Sequence, residues 1–277
     1  MTTTATESGH TPEVAMLLED LLMASGIDYR GYAPDFVAER VEARRSREGV
    51  PDLVTLGARL LDDRACLERM VLDLAPRTRP LFASSEWMQA FRSDVVPRLR
   101  TYPRVRIWHA GCGPQAEDSY AMAIVLREEG LLERTTIYAT DVSDAILERA
   151  RQGVLAEWTE ASADNYRRSG GRATLDEYYT REGNGARARP LLKSNISFAV
   201  HSLATDASFN EFHFIVCRGA LGQYGAALRE RAQEVLKDSL VRFGFLALEP
   251  GDLPVKGQAR AGLQIVRPEI ELYRRTA

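Results

Sequence analysis

Cysteine is scarce in this sequence. The 277 residues include three cysteines at unrelated spacings, Cys66, Cys112 and Cys217. An odd number of cysteines without metal-ligand spacing predicts a reduced protein that has neither a disulfide framework nor a metal site.

Strong net charge and long apolar runs are missing as well. The net charge is −3 and the pI is about 5.9, so the chain has no general attraction to nucleic acid or to an anionic membrane. No apolar run is long enough to span a bilayer, and the opening MTTTATESGHTPE lacks the basic and apolar segments of a secretory signal. We therefore expect a cytoplasmic protein that neither binds nucleic acid nor inserts into a membrane.

The first part of the chain has helical periodicity and no strand pattern. Residues 1–12 are polar and rich in Thr, which predicts a disordered tail. From Glu13 apolar residues recur every three or four positions, and Gly26 follows where the first helix should end. Further amphipathic segments continue to about residue 77. These features predict an N-terminal helical domain over residues 13–77.

Residues 78–277 have a different pattern, in which strands alternate with helices. The strand candidates are, in order, RVRIW, TTIYAT, HFIVC, FGFLAL, GLQIVR and IELYRR. Alternation of this kind predicts an α/β fold with a mainly parallel sheet and helices on both faces. Residues 157–195 interrupt the alternation with polar and glycine-rich sequence, which indicates an inserted subdomain.

The first junction between a strand and a helix is a candidate ligand site. Ala110, Gly111 and Gly113 end the first strand, and glycines there let the backbone approach a ligand closely. Asp141 ends the next strand, where its carboxylate can bind two ribose hydroxyls beyond the carboxyl edge of the sheet. The acidic Glu117 in the loop suits the ammonium group of an amino-acid-like ligand and repels a pyrophosphate. This combination favours S-adenosylmethionine over NAD.

Four segments carry a resemblance to a known family. They read RIWHAGCGPQAEDSYAMAIVL, IYATDVSDAILERARQGV, SFNEFHFIVCRG and KDSLVRFGFLAL. In this order they resemble the chemotaxis-receptor methyltransferase (CheR) family of protein-glutamate O-methyltransferases, which use S-adenosylmethionine and release S-adenosylhomocysteine. The resemblance implies a class I, Rossmann-like methyltransferase fold with an N-terminal helical domain and a small inserted β-subdomain. It also implies a role in chemotaxis signal transduction.

The resemblance also assigns roles to individual residues. Ala110, Gly111 and Gly113 belong to the family's first cofactor motif, which here reads AGCGPQAEDSYA and is one residue longer than in the family. The family's cofactor-binding glutamate is Glu117 if the extra residue lies within 113–116, and its place falls on Ala116 if the motif is aligned without a gap. The remaining carried-over residues are the ribose-binding Asp141, the adenine-side Ser202 and Leu203, and the candidate catalytic residue Arg218. Tyr224, one position after the place of the family's active-site tyrosine, is the second candidate catalytic residue.

Among the departures from the family pattern, three replace residues of the active site. Ala83 stands where the family has arginine, Gly219 where it has asparagine, and Gln223 where it has the active-site tyrosine. Loss of several polar contacts weakens cofactor binding and rate, at about 1–3 kcal/mol each. The sequence therefore leaves three possibilities: a methyltransferase with an eroded active site, a non-catalytic interaction module in signalling, and an enzyme redirected to a small-molecule substrate.

A basic helix in the N-terminal domain is a candidate docking surface. It carries Arg40, Arg44, Arg45 and Arg47. Such a run is ordinarily a solvated helix face, but the resemblance implies docking on an acidic receptor or signalling-protein helix.

Overall fold

The structure is a computed structural model that describes residues 9–209, 211–251 and 261–276. The helices are α1 (Pro12–Ser25), α2 (Pro34–Glu48), α3 (Leu53–Asp62), α4 (Arg64–Asp73), α5 (Ser85–Ala90), α6 (Val96–Leu99), α7 (Glu117–Glu128), α8 (Asp144–Gln152), α9 (Glu160–Arg168), α10 (Pro190–Lys193) and α11 (Ala226–Asp238). The strands are β1 (Val105–Ala110), β2 (Thr135–Asp141), β3 (Val154–Leu155), β4 (Tyr179–Glu182), β5 (Gly185–Ala188), β6 (Ile196–Val200), β7 (Phe212–Cys217), β8 (Leu240–Leu248), β9 (Leu263–Arg267) and β10 (Leu272–Arg275).

Local capping interactions define the ends of the N-terminal helices. Thr11 caps α1 by accepting a hydrogen bond from the backbone N–H of Val14, and Gly26 ends the helix in the left-handed conformation. Asp52 and Asp63 cap α3 and α4 in the same way. Most of the tail predicted to be disordered, residues 1–8, lies outside the described residues, and the last part of residues 1–12 caps and begins α1.

The main sheet has seven strands in the order β6-β2-β1-β7-β8-β10-β9. The first five strands are parallel, and β10 runs antiparallel to both of its neighbours. The sequence pattern did not indicate β6, because this edge strand buries only one of its side chains, that of Ile196. Its pairing with β2 places Val200 beside Asp141, so the carboxyl ends of β1, β2 and β6 form one edge.

Each face of the main sheet has its own apolar core. One core contains α7 with the small inserted sheet, whose antiparallel order is β3-β5-β4. The other core joins side chains of α1–α4 to Trp108 and Ile215 of the sheet. The helical region therefore packs directly on the sheet, and the segment after α4 crosses the carboxyl edge.

Candidate functional site

Asp141 is held at the end of β2 by two backbone hydrogen bonds. One carboxylate oxygen accepts from Gly113 N at 2.9 Å and the other from Val142 N at 2.8 Å. The side chain is buried, and burial raises the pKa of this carboxyl from 3.8 to about 6 although the two N–H donors oppose the rise. This geometry fixes the carboxylate at the strand edge, as the sequence predicts.

The backbone of the preceding loop favours glycine at two positions, and close packing excludes a side chain at the first of them, Gly111. Gly111 and Gly113 have φ of +64° and +67°, which side chains rarely adopt. A Cβ on Gly111 would lie 2.6 Å from the Cβ of Ala220, and one on Gly113 would lie 3.5 Å from the Pro76 carbonyl oxygen. Two other segments therefore lie directly on the glycine loop.

The cavity beside Asp141 is small. Its volume is about 10 Å³, which is room for about one water molecule. The lining residues come from the helical region and the sheet edge together: Tyr32, Leu74, Pro76, Gly111, Asp141, Val142, His201, Leu203, Ala220, Gln223 and Tyr224. Two buried polar atoms near this aspartate, Tyr29 Oη and His201 Nδ1, have no hydrogen-bond partner among the described residues. Such atoms mark a place where a polar ligand or water belongs.

The adenine-side residues divide between the cavity and its surroundings. Leu203 lines the cavity, and His201 N donates to the Asp141 carbonyl oxygen at 3.0 Å. The Ser202 hydroxyl accepts from Ala204 N at 3.2 Å and lies outside the cavity lining. Ala110 likewise is buried in the core at the end of its strand. The side chains of Ser202 and Ala110, for which cofactor contacts were predicted, therefore do not line this cavity.

A second cavity of about 190 Å³ surrounds Glu117. The Glu117 carboxylate accepts from Arg79 N at 3.0 Å. Burial, followed by the charge of Asp118, raises the pKa of the Glu117 carboxyl from 4.5 to about 7. Ala116 precedes the helix with φ of +46° and offers no polar side chain. The structure thus places a buried carboxylate at Glu117 and no polar side chain at Ala116.

Arg218 lies in the wall of the Glu117 cavity and is 9% exposed. Its Nε lies 3.1 Å from a carboxylate oxygen of Glu249, and its guanidinium is over the ring of Trp87 at 5.7 Å. Burial lowers the pKa of this guanidinium, and the surrounding carboxylates oppose that change. Arg218 therefore sits among acids in a partly closed space.

Tyr224 lies in the other cavity, beside Asp141. Its ring packs on that of Tyr32 with centroids 5.0 Å apart, and burial raises the pKa of its hydroxyl well above the usual value. Gln223 lines the same cavity and donates from Nε2 to the Gly219 carbonyl oxygen at 3.1 Å. The two candidate catalytic residues, Arg218 and Tyr224, therefore line different cavities and are not brought together.

Sequence reasoning missed Arg79 and Glu249. The Arg79 guanidinium lies 2.8 Å from Glu249 and 3.4 Å from Asp118. No local pattern in the sequence marks either residue. Their pairing joins positions 170 residues apart, which only the fold reveals.

The predicted docking arginines of α2 are engaged within the chain. Arg44 is 7% exposed and its guanidinium lies 2.6 Å from Asp73. Arg40 donates to the Asp73 carbonyl oxygen, Arg47 pairs with the Asp73 carboxylate, and Arg45 pairs with a neighbouring glutamate of its own helix. Including Arg44 in a docking surface was wrong, because its side chain is buried against α4. Arg47, with 62% of its side chain exposed, stays accessible.

The described part of the chain contains no group of three or more His, Cys, Asp or Glu residues that could hold a metal ion. No helix among the described residues is both long and apolar enough to cross a membrane.

The strand order and the acid that ends β2 define a class I, Rossmann-like methyltransferase fold, which confirms the predicted fold class. Residues 78–252 match the family model of the CheR methyltransferase, SAM binding domain. The chain belongs to this CheR methyltransferase family, and its cofactor is S-adenosylmethionine.

Several curated proteins are similar to this chain. A putative methyltransferase Cher3 of Pseudomonas putida is 36% identical over 237 residues, which cover 85% of this chain and 86% of that protein. A chemotaxis protein methyltransferase of Listeria innocua is 28% identical and covers 68% of this chain and 69% of its own length. An uncharacterized 104.1 kDa protein of Rhodobacter capsulatus is 26% identical over 87% of this chain but only 25% of its own length.

The chemistry of the site fits this cofactor, although the space beside Asp141 must widen to admit it. Asp141 can hold ribose hydroxyls, the unpartnered His201 Nδ1 offers a further polar contact, and the Glu117 carboxylate suits an ammonium group. Pro76 and Tyr224 are among the residues that line this cavity, whose volume is about 10 Å³.

Proposed function

We propose that this chain transfers a methyl group from S-adenosylmethionine to glutamate side-chain carboxylates of a signalling or receptor protein in the cytoplasm. The match of residues 78–252 to the family's cofactor-binding domain carries the proposal. Two buried carboxylates support it, Asp141 at the end of β2 and Glu117 in the first turn of α7, although they line separate cavities.

Bound S-adenosylmethionine supplies an activated methyl group, and the acceptor carboxylate is ionised at neutral pH. No residue of the chain therefore needs to act as a base, and the protein contributes binding, orientation and exclusion of water. Asp141 and Glu117 hold the cofactor. The buried guanidinium of Arg218 orients the acceptor carboxylate, because a guanidinium presents parallel donors to two carboxylate oxygens. Tyr224 shields the Asp141 cavity from water.

One observation favours a second candidate, a non-catalytic interaction module. The cavity beside Asp141 holds about 10 Å³, and three family residues are replaced by Ala83, Gly219 and Gln223. On this alternative the fold is retained for binding a partner, and the cofactor site has decayed.

Calorimetric titration with S-adenosylmethionine and S-adenosylhomocysteine separates these candidates. Micromolar binding supports the enzyme, whereas no detectable heat from folded protein supports the interaction module. If the cofactor binds, incubation with methyl-labelled S-adenosylmethionine and a cell extract follows. Alkali-labile label on protein indicates a carboxyl ester, and label on a small molecule indicates a redirected enzyme. Asp141→Ala provides the control that should lose both binding and labelling.

Restoring two family residues tests the idea of an eroded site. Gly219 has φ of +82°, a region that asparagine tolerates better than most residues, and a Cβ there would meet Arg79 Nη2 only at 4.0 Å. The double change Ala83→Arg with Gly219→Asn should tighten S-adenosylmethionine binding by about tenfold, which is about 1.4 kcal/mol. Unchanged binding would contradict erosion at these positions.

We also propose that the methyl acceptor presents an acidic helix to the exposed part of α2. Arg45 and Arg47 are the remaining candidate contacts, because Arg44 is buried and the Nε and Nη2 atoms of Arg40 are buried as well. Once the acceptor is identified, Arg47→Glu should slow its methylation at low ionic strength without changing cofactor affinity.

A further inference from the structure

Arg79 occupies an acidic pocket that the proposed mechanism assigns to the cofactor. It lies in the segment between α4 and α5, and its guanidinium is within 2.8 Å of Glu249, 3.4 Å of Asp118 and 3.7 Å of Glu117. The same guanidinium donates to the Arg218 carbonyl oxygen at 3.2 Å. Its side chain is 26% exposed, so it sits largely inside the cavity.

The charges around this cavity show what Arg79 does there. Three carboxyl groups, those of Glu117, Asp118 and Glu249, line it together with the two guanidiniums of Arg79 and Arg218. Without the Arg79 guanidinium, the guanidinium of Arg218 would be the single cation facing these three acids in a space of about 190 Å³. Such a pocket attracts a compact cation, because opposite charges at short range interact strongly where water is limited.

The backbone around Arg79 brings its side chain to the cofactor motif. Pro76, three residues earlier, lies against the glycine loop, 3.5 Å from where a Cβ of Gly113 would be. Arg79 N then donates to the Glu117 carboxylate at 3.0 Å. The segment 76–79 thus runs from the glycine loop to the first turn of α7.

S-adenosylmethionine carries an ammonium group on its amino-acid portion, and Glu117 is the residue expected to receive it. We propose that Arg79 is a built-in counter-ion that competes with this ammonium group for the acidic pocket, and that it thereby sets the cofactor affinity of this chain. The inference depends on S-adenosylmethionine being the cofactor and is independent of the methyl acceptor.

Two ligands that differ in the amino-acid portion test the proposal by calorimetry. S-adenosylhomocysteine has the ammonium group, whereas 5′-methylthioadenosine has neither the ammonium nor the carboxylate. Arg79→Ala should tighten S-adenosylhomocysteine by about tenfold, equivalent to about 1.4 kcal/mol, and should change 5′-methylthioadenosine by less than about twofold. Arg79→Lys, which keeps a cation, should stay close to the unaltered protein.

Arg77→Ala is the matched control. Arg77 lies in the same segment, its side chain is 69% exposed, and it pairs with the exposed Glu39, so its removal should leave both affinities unchanged. Arg79→Met keeps the aliphatic part of the side chain and replaces Arg79→Ala in the titrations if the alanine variant unfolds. Hydrogen exchange of segment 76–79 gives a second measurement, and exchange there should be faster in Arg79→Ala than in Arg77→Ala.

Three results would overturn the proposal. Weaker S-adenosylhomocysteine binding by Arg79→Ala would make Arg79 a contact to the ligand's carboxylate. Equal tightening of both ligands would mean that the segment only blocks the cleft. Unchanged affinity for both ligands would show that Arg79 does not control affinity. Absence of binding by both proteins would instead contradict the premise that this chain binds the cofactor, and with it the proposed function. None of these results depends on methyl transfer, so failure of the proposed activity would be seen separately in the labelling experiment.

Discussion

Replacing Glu117 by glutamine should change how stability depends on pH. Burial, together with the charge of Asp118, raises the pKa of the Glu117 carboxyl in the folded protein from 4.5 to about 7. Below about pH 4.5 both the folded and the unfolded states are protonated, and the shift has no effect. As pH rises from 4.5 to 7 the unfolded state releases its proton first, so folding becomes less favourable, and above 7 the full penalty applies.

The size of the penalty follows from the shift. A rise from 4.5 to about 7 corresponds to about 3 kcal/mol, at about 1.4 kcal/mol per pKa unit. Glutamine has nearly the same shape and no charge, so Glu117→Gln avoids this penalty. The variant should therefore gain about 3 kcal/mol in its free energy of unfolding, relative to the unaltered protein, between about pH 4 and about pH 8. Any constant loss from the missing ion contact with Arg79 leaves this slope unaffected.

Urea unfolding of both proteins at several pH values measures the difference directly. Glu133→Gln, at an exposed glutamate, serves as the control. A stability difference for Glu117→Gln that stays constant across this pH range would refute the reasoning, because it would mean that the buried carboxyl titrates as it does in the unfolded chain.

Two further substitutions test other parts of the structure by urea unfolding. Gly111→Ala should lower the free energy of unfolding by about 3 kcal/mol, because it adds backbone strain and a contact with Ala220 at 2.6 Å. Gly49→Ala is the control, at a similar φ with nothing within 4 Å, and should cost only about 1 kcal/mol. Equal losses for the two variants would argue against close packing on the glycine loop. Glu48→Gln should cost about 3 kcal/mol at neutral pH, since hydrogen bonding from Arg69 above all lowers the pKa of this carboxyl from 4.5 to about 2. The stabilisation from the ionised Glu48 carboxylate is present above pH 4.5 and is lost as pH falls through 2. A stability difference between Glu48→Gln and the unaltered protein that persists at pH 2 would therefore contradict an origin in this ion pairing.

The sequence by itself determined the order of most elements and the position of Asp141 at the end of a strand. Strands such as β1 and β2 are short apolar runs followed by amphipathic helices, and both signals are local in the chain. Asp141 could be assigned because a strand-ending acid in a parallel sheet must lie at the carboxyl edge. The alignment of Glu117 stayed open, since the loop has one extra residue, and the structure adds that its carboxylate lines a cavity.

Tertiary structure alone decided which charges meet and which surfaces remain open. The periodicity of α2 placed Arg44 on a basic helix, but its burial depends on Asp73 of α4, which the sequence of α2 does not encode locally. Arg79 and Glu249 are 170 residues apart, and no spacing rule connects them. The narrow cavity beside Asp141 likewise depends on how Pro76 and Tyr224 pack from distant parts of the chain. Local patterns fix backbone conformation, whereas ion pairs and cavity volumes result from contacts between segments that only folding brings together.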